Sequence, residues 1–243
     1  MGLVTERLSY FFSLIALILS LSLTITAIVT EHWFDARVVN DRGIPSGASQ
    51  VHAGLFAGRR VIDWGLGTRR MAFSVLEELA DGTSFMGKAN WVFTVAMLLL
   101  GVIWLAVATL TTLAAAVRPT QRHPALAGPC GVILWTLLSL CTLSMCLLLY
   151  YLNYAETIAA NVLLEEQVES GFTTENQANL GYSFYMLLTG VVVLVVPLLL
   201  LCCCTPRRRR VVTTGEAIAR RKSTAFVAAT APSLPFEEAS AVF

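Results

Sequence analysis

Hydrophobic and polar positions fall into long alternating blocks along this chain. Four runs, Leu8 to Val29, Trp91 to Val117, Leu126 to Leu152 and Tyr182 to Cys204, contain no Asp, Glu, Lys, Arg or His. Each exceeds the ~20 residues that a helix needs to cross the hydrocarbon core of a bilayer. In lipid only helices and closed barrels satisfy every backbone polar group. The pattern predicts a membrane α-helical fold, a four-transmembrane-helix bundle occupying residues 1–205. The polar remainder, 206–243, is rich in small residues and carries Pro232 and Pro235, which predicts a disordered tail. The first apolar run is too long for the core of a cleaved signal peptide and no A-x-A-like site precedes Glu31, so it is expected to be retained.

The segments between the runs have patterns of their own. In the first loop, 30–90, the stretches Trp33 to Val39, Gln50 to Phe56 and Leu66 to Ser74 are rich in β-branched and aromatic residues. Turn-forming segments at Asn40 to Gly47, Ala57 to Arg60 and Asp63 to Gly65 separate them, which predicts a small antiparallel β-sheet standing on the membrane. Ser74-Val75-Leu76-Glu77 has the form of a capping box and predicts a short helix to about Ala80, ending at Gly82. In the second loop, 153–181, Tyr154, Ile158 and Val162 recur at helical spacing. They extend the third run by two to three turns above the bilayer, with Glu156, Glu165, Glu166 and Glu169 facing water.

Charge assigns sides to these loops, because Lys and Arg in short loops stay cytoplasmic whereas acids carry little topological weight. The segment from Arg118 to Ala125 has Arg118 and Arg122 and no acid, and the tail holds seven basic residues against three acids. The loop 153–181 holds five glutamates and no basic residue, while 30–90 balances seven basic against seven acidic residues. The expected protein is a multi-pass protein of the plasma membrane with cytoplasmic N- and C-termini and two extracellular loops. A composition of 56% hydrophobic and 14% charged residues is too apolar for a soluble domain, and a net charge of +1 gives no affinity for nucleic acid. The lipid bilayer is the first partner implied. Arg207 to Arg210 would meet anionic inner-leaflet lipids and chiefly act as a stop-transfer anchor.

All six cysteines lie inside or at the inner end of a run, so neither loop can form a disulfide. Cys202, Cys203 and Cys204 beside four arginines suit reversible palmitoylation, and small packing residues at a helix end are the competing reading. Catalysis needs converging titratable groups or a metal, and the four runs offer none, so no enzyme, cofactor or metal site is expected. His32, His52 and His123 are scattered along the chain with nothing to show that any two share a metal. Ser20, Ser22, Thr24, Thr26, Thr109, Thr111 and Thr112 could line a passive pore. Helix packing through hydroxyls and small residues, with Ala16, Ser20, Ser139 and Gly190 as contacts, is the stronger expectation. Pro197 is expected to loosen the fourth span locally.

Four spans, a large first exterior loop, Trp33 just past the first span and a later Gly54-Leu55-Phe56 resemble the claudin and peripheral-myelin-protein superfamily. Within it, Gly54-Leu55-Phe56-Ala57-Gly58, Gly65-Leu66-Gly67-Thr68-Arg69 and the Gly128-Pro129-Cys130-Gly131 entry to the third span are similar to the clarins. The resemblance runs from Glu31 to Tyr185. It departs from claudins in lacking the first-loop cysteine pair, and from clarins in carrying Trp64 where a Cys tends to stand. No Asn-x-Ser/Thr sequon lies in either exterior loop. Trp33 and Trp91 sit where an aromatic interface belt would lie; the resemblance implies instead that Trp33 packs the sheet onto the helices.

What the resemblance implies is a non-enzymatic membrane organiser that binds other membrane proteins and links to cortical actin, in sensory cells such as those of hearing. An auxiliary subunit of an ion channel is the alternative, and a claudin-like junction protein is disfavoured by the missing cysteines. The tail adds two short motifs. Ser223 follows Arg220-Arg221-Lys222 as in a basophilic kinase site. Ala241-Val242-Phe243 ends the chain in the manner of a ligand for PDZ scaffolds.

Overall fold

The computed structural model describes residues 2–40, 45–63, 67–81, 87–117 and 128–204; the side chains of 2–6, 45–48 and 204 lie outside that description. Four helical segments are long and apolar enough to cross a membrane, at Arg7–Val29, Lys88–Val117, Pro129–Ile158 and Tyr182–Cys203. They belong to α1 (Gly2–Val29), α3 (Lys88–Val117), α4 (Pro129–Asn153), and the pair α6 (Tyr182–Val193) and α7 (Val195–Cys204). Between α1 and α3 come β1 (Phe34–Asn40), β2 (Pro45–Ala53), β3 (Ala57–Asp63), β4 (Thr68–Ser74) and α2 (Val75–Asp81). Between α4 and α6 come α5 (Glu165–Glu169), β5 (Phe172–Thr173) and β6 (Ala178–Leu180).

The helices form a ring: α1 lies beside α3 and the α6–α7 pair, and α4 lies beside the same two neighbours. Only 33% of the most apolar stretch of each span is buried, and Phe11, Ile15, Ile103, Leu137, Leu148 and Val192 point outward, as a lipid-bathed bundle requires. Small residues set the inter-helix contacts as expected. The Ser20 hydroxyl donates to the Gly190 carbonyl at 2.9 Å, joining α1 to α6, and Ser139 donates to the Gly101 carbonyl at 3.0 Å, joining α4 to α3. Leu143 fills the space over Gly101, where a β-carbon would stand 2.7 Å from its Cγ. Thr24, Thr26, Thr109 and Thr112 instead bond within their own helix, donating to the carbonyl four residues back. The fourth span breaks at Leu194, three residues before Pro197, whose missing N–H and bulky ring interrupt the helical ladder.

Among the described residues six strands join one antiparallel sheet in the order β4-β3-β2-β1-β5, with β6 also on β1. Phe34, Ala36, Val51, Ala53 and Ile62 are buried, while Asp35, His52 and Arg59 look the other way. A one-residue alternation therefore separates an apolar face from a polar one. The expected sheet is present, but Pro45 to Gly47, read as turn, begin β2. Gly54 to Phe56, read as strand, form the turn before β3, where the Gly54 N–H bonds to the Ala57 carbonyl. Three further differences stand out. Ala57 to Arg60, read from sequence as a turn, opens strand β3. The reason is Arg60: its guanidinium, almost fully buried, makes a bidentate ion pair with Glu78 of α2 and lies 4.0 Å over the Phe73 ring. A charge that reads as solvent-exposed is neutralised from a neighbouring element. Second, the third span does not continue for two to three turns; a single π-helical turn, Tyr154–Ile158, ends it, and Val162 lies beyond. Third, the second loop contributes β5 and β6, so the two loops form one sheet. The short helix after Ser74 is present as α2, with Val75 and Leu79 buried.

Removing one partner of a buried ion pair strands the other charge in a low-dielectric site. Glu78→Ala is therefore expected to cost about 3–5 kcal/mol, whereas Glu77→Ala, on the exposed side of α2, is expected to stay within about 0.5 kcal/mol. Denaturant unfolding of the detergent-purified protein measures both; equal effects would deny the ion pair a structural role.

Candidate functional site

The chain leaving α1 is the point where bundle and sheet meet. Trp33 is fully buried, its indole N–H donating to the Ala27 carbonyl at 2.8 Å and its ring packing 4.8 Å from that of Tyr150. Its backbone N–H bonds to Ala53 at 2.9 Å and its carbonyl accepts from Gly181 at 2.9 Å. Ser183 donates its backbone N–H to the His32 carbonyl at 3.0 Å, and its hydroxyl lies 2.7 Å from that of Thr30. The start of α6 is thus satisfied by the segment that follows α1. Gly181 allows this approach, since a β-carbon there would lie 2.6 Å from the His32 carbonyl carbon. Trp33 packs the sheet onto the helices and is not a member of an interface belt.

The Gly54-Leu55-Phe56 motif sits beside this junction. A β-carbon on Gly54 would stand 2.8 Å from the Thr30 carbonyl oxygen, and the Gly54 N–H bonds to the Ala57 carbonyl at 2.8 Å. Leu55 is buried and its carbonyl accepts from the Trp91 indole at 2.8 Å; Phe56 is exposed and edge-on to the Trp91 ring. Trp91 thereby ties α3 to the turn before β3. Gly67 lies on the surface with φ of +120°, a conformation suited to glycine. Gly128 caps α4 and Pro129 begins it, where a missing N–H costs nothing. Cys202 and Cys203 are free and exposed at the end of α7. Gly65 and Leu66, the Cys204 side chain, Ser223 and Ala241 to Phe243 lie outside the described residues.

Sequence reasoning missed one constellation. Asp35 and His52 are direct cross-strand partners of β1 and β2, with Arg59 next across β3 and Asn179 on the other side of Asp35. His32, just before β1, stacks on His52 with ring centroids 4.4 Å apart and planes 10° from parallel. Its Nδ1 is 2.7 Å from Asp35 Oδ1, and Tyr182 stacks on it at 5.0 Å. One donor atom from each of His32, Asp35 and His52 lies within 4.8 Å of the other two, so this is a set able to hold a metal. Two of the three scattered histidines are brought together by strand register, a signal that no local spacing carries. Arg59 is held by Glu31 at 3.4 Å.

A bundle of four membrane-spanning helices whose connecting loops fold into one antiparallel sheet is a tetraspan membrane protein with a sheet-bearing head. The Clarin-2-like family matches residues 7–201, most of the chain, and the protein belongs to that family. No curated protein matches the sequence.

The His52 pKa lies below its ordinary 6.5, first because burial disfavours the charged ring and next because His32 and Arg59 oppose it, against the pull of Asp35 and Glu31. A depressed folded-state pKa means that the unfolded chain takes up the proton first. The contribution is fully present above pH 6.5 and is lost as pH falls through the folded value. Lowering the pH from 7.5 to 5 is therefore expected to reduce the unfolding temperature more in the parent than in His52→Gln, as followed by tryptophan fluorescence. Identical pH profiles would contradict this sign.

Proposed function

We propose that the chain is a clarin-type organiser of the plasma membrane, with both termini cytoplasmic and the sheet outside. It binds other membrane proteins through the sheet and joins cortical actin through its tail, in sensory cells. The observation that carries this reading is the contrast between the two halves of the fold. The bundle interior is filled by Leu17, Leu98, Leu105, Leu143 and Leu187, all fully buried, and the Ser20 and Ser139 hydroxyls join neighbouring helices. The head instead offers β4, which among the described residues pairs on one side only, to β3, and whose residues Thr68 to Ala72 are all exposed. An edge strand of this kind invites strand addition or side-chain docking by a partner, while Arg69 and Arg70 keep it from pairing indiscriminately.

The orientation rests on the basic residues at 118–122 and 207–210 and on the acidic, Lys- and Arg-free second loop. In intact cells, single cysteines at Thr68 and Glu166, placed in a background with the native cysteines replaced by serine, are expected to react with an impermeant maleimide. A cysteine at Thr120 is expected to react only after permeabilisation. Labelling of Thr120 from outside would reverse the topology.

Partner class is tested by proximity labelling in native tissue with the enzyme fused to the N-terminus, leaving the C-terminal carboxylate free. Enrichment of adhesion proteins and actin-linked scaffolds is the expected result. A labelled set dominated by one channel subunit would replace the organiser by an auxiliary subunit.

A further inference from the structure

We propose that His32, Asp35 and His52 form a binding site for a divalent transition cation of the zinc type at the junction between bundle and sheet. The inference stands apart from the partner-binding role. Two imidazoles and one carboxylate are a donor set for Zn²⁺ and its neighbours, whereas Ca²⁺ and Mg²⁺ demand more oxygens. The three side chains come from places that the fold holds firmly. Asp35 and His52 are locked by β1–β2 register, and the His32 backbone is fixed by the Ser183 N–H at 3.0 Å.

The spacing of the donors suits a bound ion. Donors on a tetrahedral zinc with bonds of about 2.0–2.1 Å stand roughly 3.4 Å apart. The His32 Nδ1 and Asp35 Oδ1 are at 2.7 Å and the full set spans no more than 4.8 Å, so the donors bracket that spacing. Arg59, next to His52 in the same cross-strand row, has its charge paired with Glu31 at 3.4 Å. Glycine at position 181 leaves the Asp35 carboxylate open, since a β-carbon there would stand 3.1 Å from its Oδ2. His32 and Asp35 are part-exposed, so ions reach the site from solvent and a fourth position is left for water or for a donor from a partner. A bound ion would bridge the end of the first span to β2.

The full-length protein, purified without a polyhistidine tag, is titrated with Zn²⁺, with Mg²⁺ and Ca²⁺ as comparisons, while its unfolding temperature is followed. Micromolar Zn²⁺ is expected to raise it by about 5 °C or more once the site is saturated, and Mg²⁺ or Ca²⁺ is expected to do nothing. His52→Gln and His32→Gln should each weaken the zinc response at least tenfold. Arg59→Ala, in the same row, should retain it, as should the triple Ser variant at Cys202, Cys203 and Cys204. A zinc response that persists in both histidine variants, or that vanishes with the cysteines, would overturn the site. So would the absence of any response in the parent. Because the histidine variants can fail to fold, the parent is also modified with diethyl pyrocarbonate. Zn²⁺ should protect His32 and His52 but not His123, as read by mass spectrometry; equal modification with and without zinc would overturn the assignment.

Discussion

The architecture depends on the indole of Trp33. A buried indole N–H must find an acceptor, and here it uses the Ala27 carbonyl at 2.8 Å, in the last turn of α1, where carbonyls lack intrahelical partners. Together with the Thr30 hydroxyl, which donates to the Thr26 carbonyl at 2.9 Å, this bond satisfies the end of a membrane helix where the chain turns into the sheet. Trp33 also receives Gly181 and reaches Ala53, so α1, β2 and the approach to α6 converge on it. Tyr150 supplies the floor. Without a disulfide in the head, this junction and the Arg60–Glu78 pair provide what covalent bridging would supply in another scaffold.

Inside the bundle the governing constraint is different. Lipid is as apolar as leucine, so helices gain little by hiding apolar surface from it and associate through close approach and hydrogen bonding. Ser20 against Gly190 and Ser139 against Gly101 do both at once, since each pairs a hydroxyl with a carbonyl bared by a glycine on the facing helix. The Tyr150 hydroxyl and the side-chain amide of Asn153 are buried without a protein partner near the C-terminal end of α4. The helix switches just beyond them to a π-helical turn.

The four spans were legible because absence of charge over a bilayer-length run has one physical reading. The packing roles of Ser20, Ser139 and Gly190 were legible for a related reason, as small polar residues in lipid have few other uses. Strand β3 was not legible, since Gly58-Arg59-Arg60 has the composition of a turn and only Glu78, brought near by folding, makes a buried Arg60 tolerable. Strands β5 and β6, of two and three residues, are too short to display a period. The π-helical turn was hidden because Tyr154 and Ile158 repeat as an α-helix would. The meeting of His32 and His52 lies in cross-strand register, which the local pattern does not specify.

The pairing of β6 with β1 also sets an order of events during biosynthesis. Strands β1 to β4 emerge from the ribosome before α3 and α4, whereas β5 and β6, which together cover the remaining edge of β1, emerge only after α4 and just before α6. Until then the β1 edge stays unpaired and the Trp33 carbonyl lacks its Gly181 donor. Completion of the head is thereby coupled to arrival of the last span. A chain arrested after its third span, α4, would display an open strand edge to the chaperones and proteases that survey new membrane proteins.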